Sequence, residues 1–270
     1  MTLLSAFIVL STSPIPFSPP ARTRVSNALK ADRGWMILFD GKTTRGWRGF
    51  RRRVFPRDIW RIEDGALHRI KATNDSKRDI ITTRQFRDFE LELEWKISAG
   101  GNSGVKYLVT EKRPSSWEKA SADYQRGALQ RRKAPAEEIA KETPERYRYF
   151  PIAFEFQIID DALNSDARSG RNRVTGALYD LLAPSARLIA PAGSFNRGRI
   201  VVRRGHVEHW VNGVKALEFD IGSQDLQRRI NASKFGQLPG FGTIRTGRIA
   251  LQDHGDEVWF RNIRLRELKP

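Results

Sequence analysis

The chain has 270 residues and a mass of 30.9 kDa, enough for one large domain or two small ones with a substantial core. Its 39% hydrophobic content, with 7 Trp and 15 Phe, argues against a largely disordered chain, and the absence of cysteine excludes disulfides, thiolate metal sites and a Cys nucleophile. The formal charge of +17 comes from 48 basic and 31 acidic residues that interleave from Arg22 to Lys269 outside any recognised DNA- or RNA-binding motif, so sequence-specific nucleic-acid binding is not expected; weak association with a polyanion or a membrane surface is what the charge alone supports.

Along the chain, Leu3 to Leu10 is a short apolar run followed by Ser, Thr and Pro up to Pro20. It resembles a signal peptide with a minimal h-region, so residues 1–30 are set apart as a signal-like or disordered segment and a periplasmic or extracellular location is expected. Residues 31–270 read as a β-rich domain. Val54 to Arg61 and Ala66 to Ile70 are weak strand candidates. Phe89 to Ile97 is the clearest strand, apolar at odd positions and charged at even ones. Gly100-Gly101-Asn102-Ser103-Gly104 then predicts a tight turn or bulge.

Glu111 to Tyr149 is charged, with helical density around Ala134 to Thr143, and reads as an excursion on the sheet rim carrying a helix. Strands follow at Ile152 to Ile159, Arg199 to Val202 and Val207 to Val211. Gln224 to Gly242 is a second long loop with a helical start. Strands resume at Arg248 to Leu251 and Val258 to Leu265. Asp40-Gly41, Asp64-Gly65, Asn212-Gly213 and His254-Gly255 mark turns. Many short strands and few helices predict an all-β fold, an antiparallel sandwich or jelly roll.

Three clusters carry candidate chemistry. On a strand through Phe154 to Asp161, Phe154, Phe156 and Ile158 face the core, while Glu155 and Gln157 share the polar face about 6.6 Å apart. The next position on that face is Ile159. A retaining glycosidase needs two carboxyls roughly 5–5.5 Å apart, and this strand supplies one. Gln252-Asp253-His254-Gly255-Asp256 places an imidazole at a strand end beside two carboxylates, a candidate general acid or base. Asn102, with Lys106 and Tyr107 just beyond it, adds neutral and cationic hydrogen-bonding groups. His68, His206 and His209 read as surface or groove-rim residues, and no spacing of histidines suggests zinc.

Taken together, LFDGKTTRGW (Leu38 to Trp47), EDGAL (Glu63 to Leu67), GGNSG (Gly100 to Gly104), EFQIID (Glu155 to Asp160), TGALY (Thr175 to Tyr179) and QDHGDEVWFRNIRLREL (Gln252 to Leu268) resemble, in order and spacing, the 3-keto-disaccharide hydrolase domain family. Gly193-Ser194-Phe195-Asn196 stands where members often carry Gly-Glu-Trp-Asn. The resemblance implies a concanavalin-like jelly roll with its ligand on the concave sheet, and hydrolysis of 3-keto-glycosides. A 3-ketone acidifies the C2 hydrogen, so one base, one acid and an enolate-oxygen donor suffice. Glu155 and His254 are the candidate base and acid, in either order. Asn102, Lys106, Gln157, Tyr179, Asn196, Gln252 and Asp253 are the candidate substrate-binding residues, with a carboxylate-bound divalent metal as an alternative to the amide donors. The other reading of the same groove is a carbohydrate-binding, lectin-like module without catalysis.

Overall fold

The computed structural model describes residues 34–71, 78–112, 114–186 and 188–269; the apolar run from Leu3 to Leu10 lies outside them. The strands are β1 (Met36–Ile37), β2 (Trp47–Gly49), β3 (Trp60–Glu63), β4 (Ala66–Arg69), β5 (Ile80–Thr82), β6 (Phe89–Ile97), β7 (Asn102–Val109), β8 (Phe154–Ile159), β9 (Asn196–Arg203), β10 (His206–Val211), β11 (Val214–Asp220), β12 (Arg248–Leu251) and β13 (Val258–Glu267). The helices are α1 (Ser116–Arg131), α2 (Ala136–Ala140), α3 (Pro144–Tyr147), α4 (Ser165–Arg168) and α5 (Gln224–Ala232).

All pairings between these strands are antiparallel. One sheet runs β11-β10-β9-β6-β13-β4-β3, with β1 also on β13, and the other runs β2-β5-β12-β7-β8. The period-two pattern of β6 sends Phe89, Leu91, Leu93, Trp95 and Ile97 into the space between the sheets. There they meet Phe156 and Ile158 of β8, Ile200 of β9 and Phe260 of β13, which closes a sandwich core. Glu90, Glu92 and Glu94 face the other way and are paired across strands by Arg199, Arg264 and Arg261 at 2.5, 2.6 and 2.7 Å. Part of the arginine excess is thus neutralised by a cross-strand ladder, whose exposed members each contribute little to stability.

Turn chemistry sets the hairpins. Asp64-Gly65 and Asn212-Gly213 both take left-handed dihedrals (φ 49° and 73°; 49° and 84°), the two-residue geometry that matches strand twist. Arg204-Gly205 joins β9 to β10 the same way (φ 52° and 85°), although an arginine gives no turn signal in the sequence.

Several expectations are corrected. Val54 to Arg61 is not a strand: only Trp60 and Arg61 belong to β3, because Pro56 opens a turn whose carbonyl accepts from Ile59 and Trp60. The principal helix of the rim excursion is α1, upstream of Ala134; the left-handed Lys133 (φ 55°) and Pro135 end it and leave only short helices beyond. The Gly-rich pentapeptide is a turn only at Gly100-Gly101, and Asn102 already begins β7. His68 and His209 are buried, not on the rim. His209 sits between the sheets, where its Nδ1 donates to Gly176 O (3.1 Å) and its Nε2 accepts from the Tyr107 hydroxyl (2.9 Å). His68 stacks on Trp259 with ring centroids 4.3 Å apart.

Candidate functional site

The outer face of the smaller sheet floors a cavity of about 1020 Å³. Its register decides which groups meet there. Lys106 lies opposite Glu155, Gly104 opposite Gln157, and Ala250 of β12 opposite Lys106 on the other side. Beyond the end of β12, Gln252 N donates to Gly104 O (2.9 Å), which brings the Gln252 side chain alongside. Glu155, Gln157, Asn102, Lys106, Gln252, His254 and Tyr179 all line this cavity.

Glu155 is buried, and burial pushes its carboxyl above the ordinary carboxylate range, opposed by the nearby ammonium groups of Lys106 and Lys234. Lys106 Nζ is 3.9 Å from Glu155 and 3.2 Å from Asp79. Asp79 is itself sealed, and burial raises its carboxyl as well. The other Asp79 oxygen accepts from Asp253 N (3.1 Å). The cation expected to bind substrate is therefore already held between two acids.

The amides behave differently. Asn102 Oδ1, Gln157 Oε1 and Gln252 Oε1 are buried with no hydrogen-bond partner among the described residues. Gln157 Nε2 donates to Arg173 O at 3.3 Å, so its oxygen is the end left over. Three orphan acceptors, two on the adjacent strands β7 and β8 and one just past β12, call for a ligand that carries several hydroxyl donors, because a buried carbonyl without a donor is costly.

His254 is exposed and lines the same cavity. The two neighbouring carboxylates are engaged elsewhere. Asp256 accepts from Asn102 N at 2.9 Å. Asp253 turns inward: one oxygen takes Arg69 Nε (2.5 Å) and Gly255 N (3.0 Å), the other Arg78 N (2.8 Å). Asp253 does not line the cavity; it pins the turn that presents His254. Asn196 is also corrected. It lies on β9 of the larger sheet, where its Oδ1 accepts from Ala190 N (2.7 Å) and Asn212 Nδ2 (2.8 Å), so its amide ties down a loop. Both side chains are buried and internally satisfied, which removes them from ligand contact.

Sequence reasoning missed Asp79, Asp166, Arg173 and Lys234. Tyr179 Oη donates to Asp166 (3.0 Å), Arg173 bridges Asp166 and Asp180 (both 2.6 Å), and Lys234 Nζ lies 4.3 Å over the Tyr179 ring. Burial raises the Tyr179 phenol and lowers the Lys234 amine. Only Lys234 had a signal, its position within the second long loop. Among the described residues, the one grouping able to share a metal ion is His206, Glu208 and Glu218, which lies on β10 and β11 and does not line the cavity.

The comparisons agree with this architecture. A Bacillus subtilis protein of unknown function with a galectin-like fold is similar at 16% identity with a TM-score of 0.50, covering 86% of this chain and 94% of that one, which bears on the fold alone. A candidate glycosyl hydrolase of Parabacteroides distasonis has a crystal structure that matches with a TM-score of 0.67 and 27% identity over 87% of this chain and 95% of that one. A Bacteroides thetaiotaomicron protein named 3-keto-disaccharide hydrolase is 34% identical over 252 residues, which is 87% of this chain and 79% of the relative. Residues 34–266 match the family described as the 3-keto-alpha-glucoside-1,2-lyase-like domain, and with that coverage the chain belongs to this family.

Proposed function

We propose that this protein cleaves the glycosidic bond of 3-keto-glycosides. The observation that carries the reading is the cavity floor: Glu155, the one carboxylate borne by its strands, lies among three unpartnered amide oxygens, while the other lining acids, Glu142, Asp166 and Asp256, come from outside those strands. The amides suit the hydroxyls of a pyranose. A single carboxylate on the strand suits a substrate whose ketone, not a second carboxylate, makes C1 labile. The relative named 3-keto-disaccharide hydrolase supports the same substrate chemistry.

In this reading Glu155 is the base. It takes the C2 proton, and the electron pair moves to the C3 oxygen as an enolate. The enolate then expels the C1 substituent and leaves a C1–C2 double bond conjugated to the ketone. Lys106 and Lys234 supply positive charge near the developing oxyanion. His254, exposed at the cavity boundary, protonates the departing oxygen. Water then adds its hydroxyl to C1 and a proton returns to C2, so the net change is hydrolysis to a free alcohol and a 3-keto sugar.

The test is incubation with a panel of 3-keto-disaccharides beside their unoxidised counterparts. Release of monosaccharide from the keto forms alone, abolished by Glu155→Gln with an unchanged circular dichroism spectrum, is the expected result. Binding of the same sugars without any product would overturn it in favour of the lectin-like module.

A further inference from the structure

The cavity is chemically two-sided. Its floor on β7, β8 and the turn after β12 is polar. The facing wall comes from the two segments that interrupt the sandwich and from the stretch that leads into β8. Tyr124 and Ala128, one helical turn apart on α1, lie on this wall with Phe150, Ile152, Phe235 and Leu238. The same excursion also adds polar groups, Ser121 and Gln125 from α1 and Arg132, Glu142 and Tyr147 beyond it, with the Tyr147 hydroxyl already donating to Glu142.

The two segments brace each other. Trp117 Nε1 in α1 donates to Pro239 O at 2.9 Å, across 122 residues of sequence. Phe241 packs on Trp117 with centroids 6.3 Å apart, and Phe235 stacks on Phe241 at 4.3 Å. The wall is thus a consequence of tertiary packing between the excursions. The volume of about 1020 Å³ is at the upper end of the roughly 300–1,000 Å³ usual for small-ligand sites, so the cavity holds more than the sugar that the floor would bind.

We propose that this wall is an aglycone subsite for an apolar or aromatic group, and that the preferred substrates are 3-keto-glycosides of hydrophobic alcohols in place of a second sugar. This rests on the glycoside-cleaving reading above for its chemistry. A second pyranose would set part of its ring of hydroxyls against the carbon of Phe150, Ile152 and Leu238, where those hydroxyls would lose water without gaining a partner. A hydrophobic aglycone gains from the same burial.

Two measurements on the wild-type protein test it. By calorimetry, unoxidised cyclohexyl glucoside is expected to bind at least about tenfold more tightly than the disaccharide with glucose in place of cyclohexyl, the equivalent of one decade in Kd. In turnover, kcat/KM for the 3-keto cyclohexyl compound is expected to exceed that for the 3-keto-disaccharide, even though cyclohexanol is the poorer leaving group. Ile152→Ser and Leu238→Ser should each lower the cyclohexyl-to-methyl ratio of kcat/KM. Equal or tighter binding of the disaccharide overturns the subsite. If no keto-glycoside is cleaved while the binding preference persists, the catalytic reading falls and the subsite stands.

Discussion

Gly104 on β7 lies against the side chain of Glu155 on β8: a Cβ added at Gly104 would stand 2.9 Å from both Cγ and Cδ of that glutamate. The missing side chain is the space in which the carboxylate rests. Gly104→Ala is therefore expected to displace the Glu155 carboxylate while the sheet survives, since the crowded atoms belong to a movable side chain. Turnover of a 3-keto-glycoside should fall by about 10²-fold, the scale of a misplaced general base. Steady-state kinetics beside a far-UV circular dichroism spectrum checks this; an alanine variant with full activity would show that the contact does not matter.

Asp79 and Lys106 form a sealed pair whose ammonium also faces Glu155. The negative charge of Asp79 helps burial to raise the Glu155 carboxyl, and Lys106 opposes both. With Asp79→Asn, Lys106 faces Glu155 as its remaining anionic partner, so Glu155 ionises at lower pH. The acid limb of the kcat/KM profile, where the base must be deprotonated, should move to lower pH. A pH series on wild type and variant reads the shift directly, and movement to higher pH would contradict the arrangement.

His209 is buried between the sheets, and burial pushes its imidazole down to about 4 from 6.5. The native state keeps it neutral while the unfolded chain binds a proton below about 6.5. Its contribution is thus fully present above the unfolded value and is lost as pH falls from about 6.5 toward 4. The loss amounts to about 3 kcal/mol across that window by proton linkage. Urea unfolding at several pH values should show this slope, and His209→Gln should flatten it relative to wild type. An unchanged slope in the variant would place the titration elsewhere.

Asn196 tests the correction to the site. Replacing it with alanine strips partners from Ala190 N and Asn212 Nδ2. The expected cost is about 1–3 kcal/mol, the penalty for buried polar groups left unpaired. Thermal unfolding should show it as a lower Tm. Because Asn196 does not line the cavity, kcat/KM on a small 3-keto-glycoside should stay within about twofold, well below the effect of losing a ligand contact.

Local chemistry determined the strand faces and most of the turns. The alternation in Phe89 to Ile97 and in Phe154 to Ile158 is a local property, and it correctly put Glu155 and Gln157 on the face away from the core. The family that the motifs resemble is the one matched over residues 34–266. Pairing was not local. Whether the Gly-rich stretch ends as a turn or enters a strand depends on β8 and β12 being present to hydrogen-bond it.

Tertiary packing also decided which polar residues are ligand groups and which are fasteners. Asp253 and Asn196 look like site residues in sequence, yet Arg69 and a loop backbone claim them. Lys234 and Asp79 look ordinary, yet packing brings both into the electrostatic surroundings of Glu155. A polar side chain has no partner until the chain closes on itself, so its role is written in contacts between residues far apart along the sequence, where no period or spacing records it.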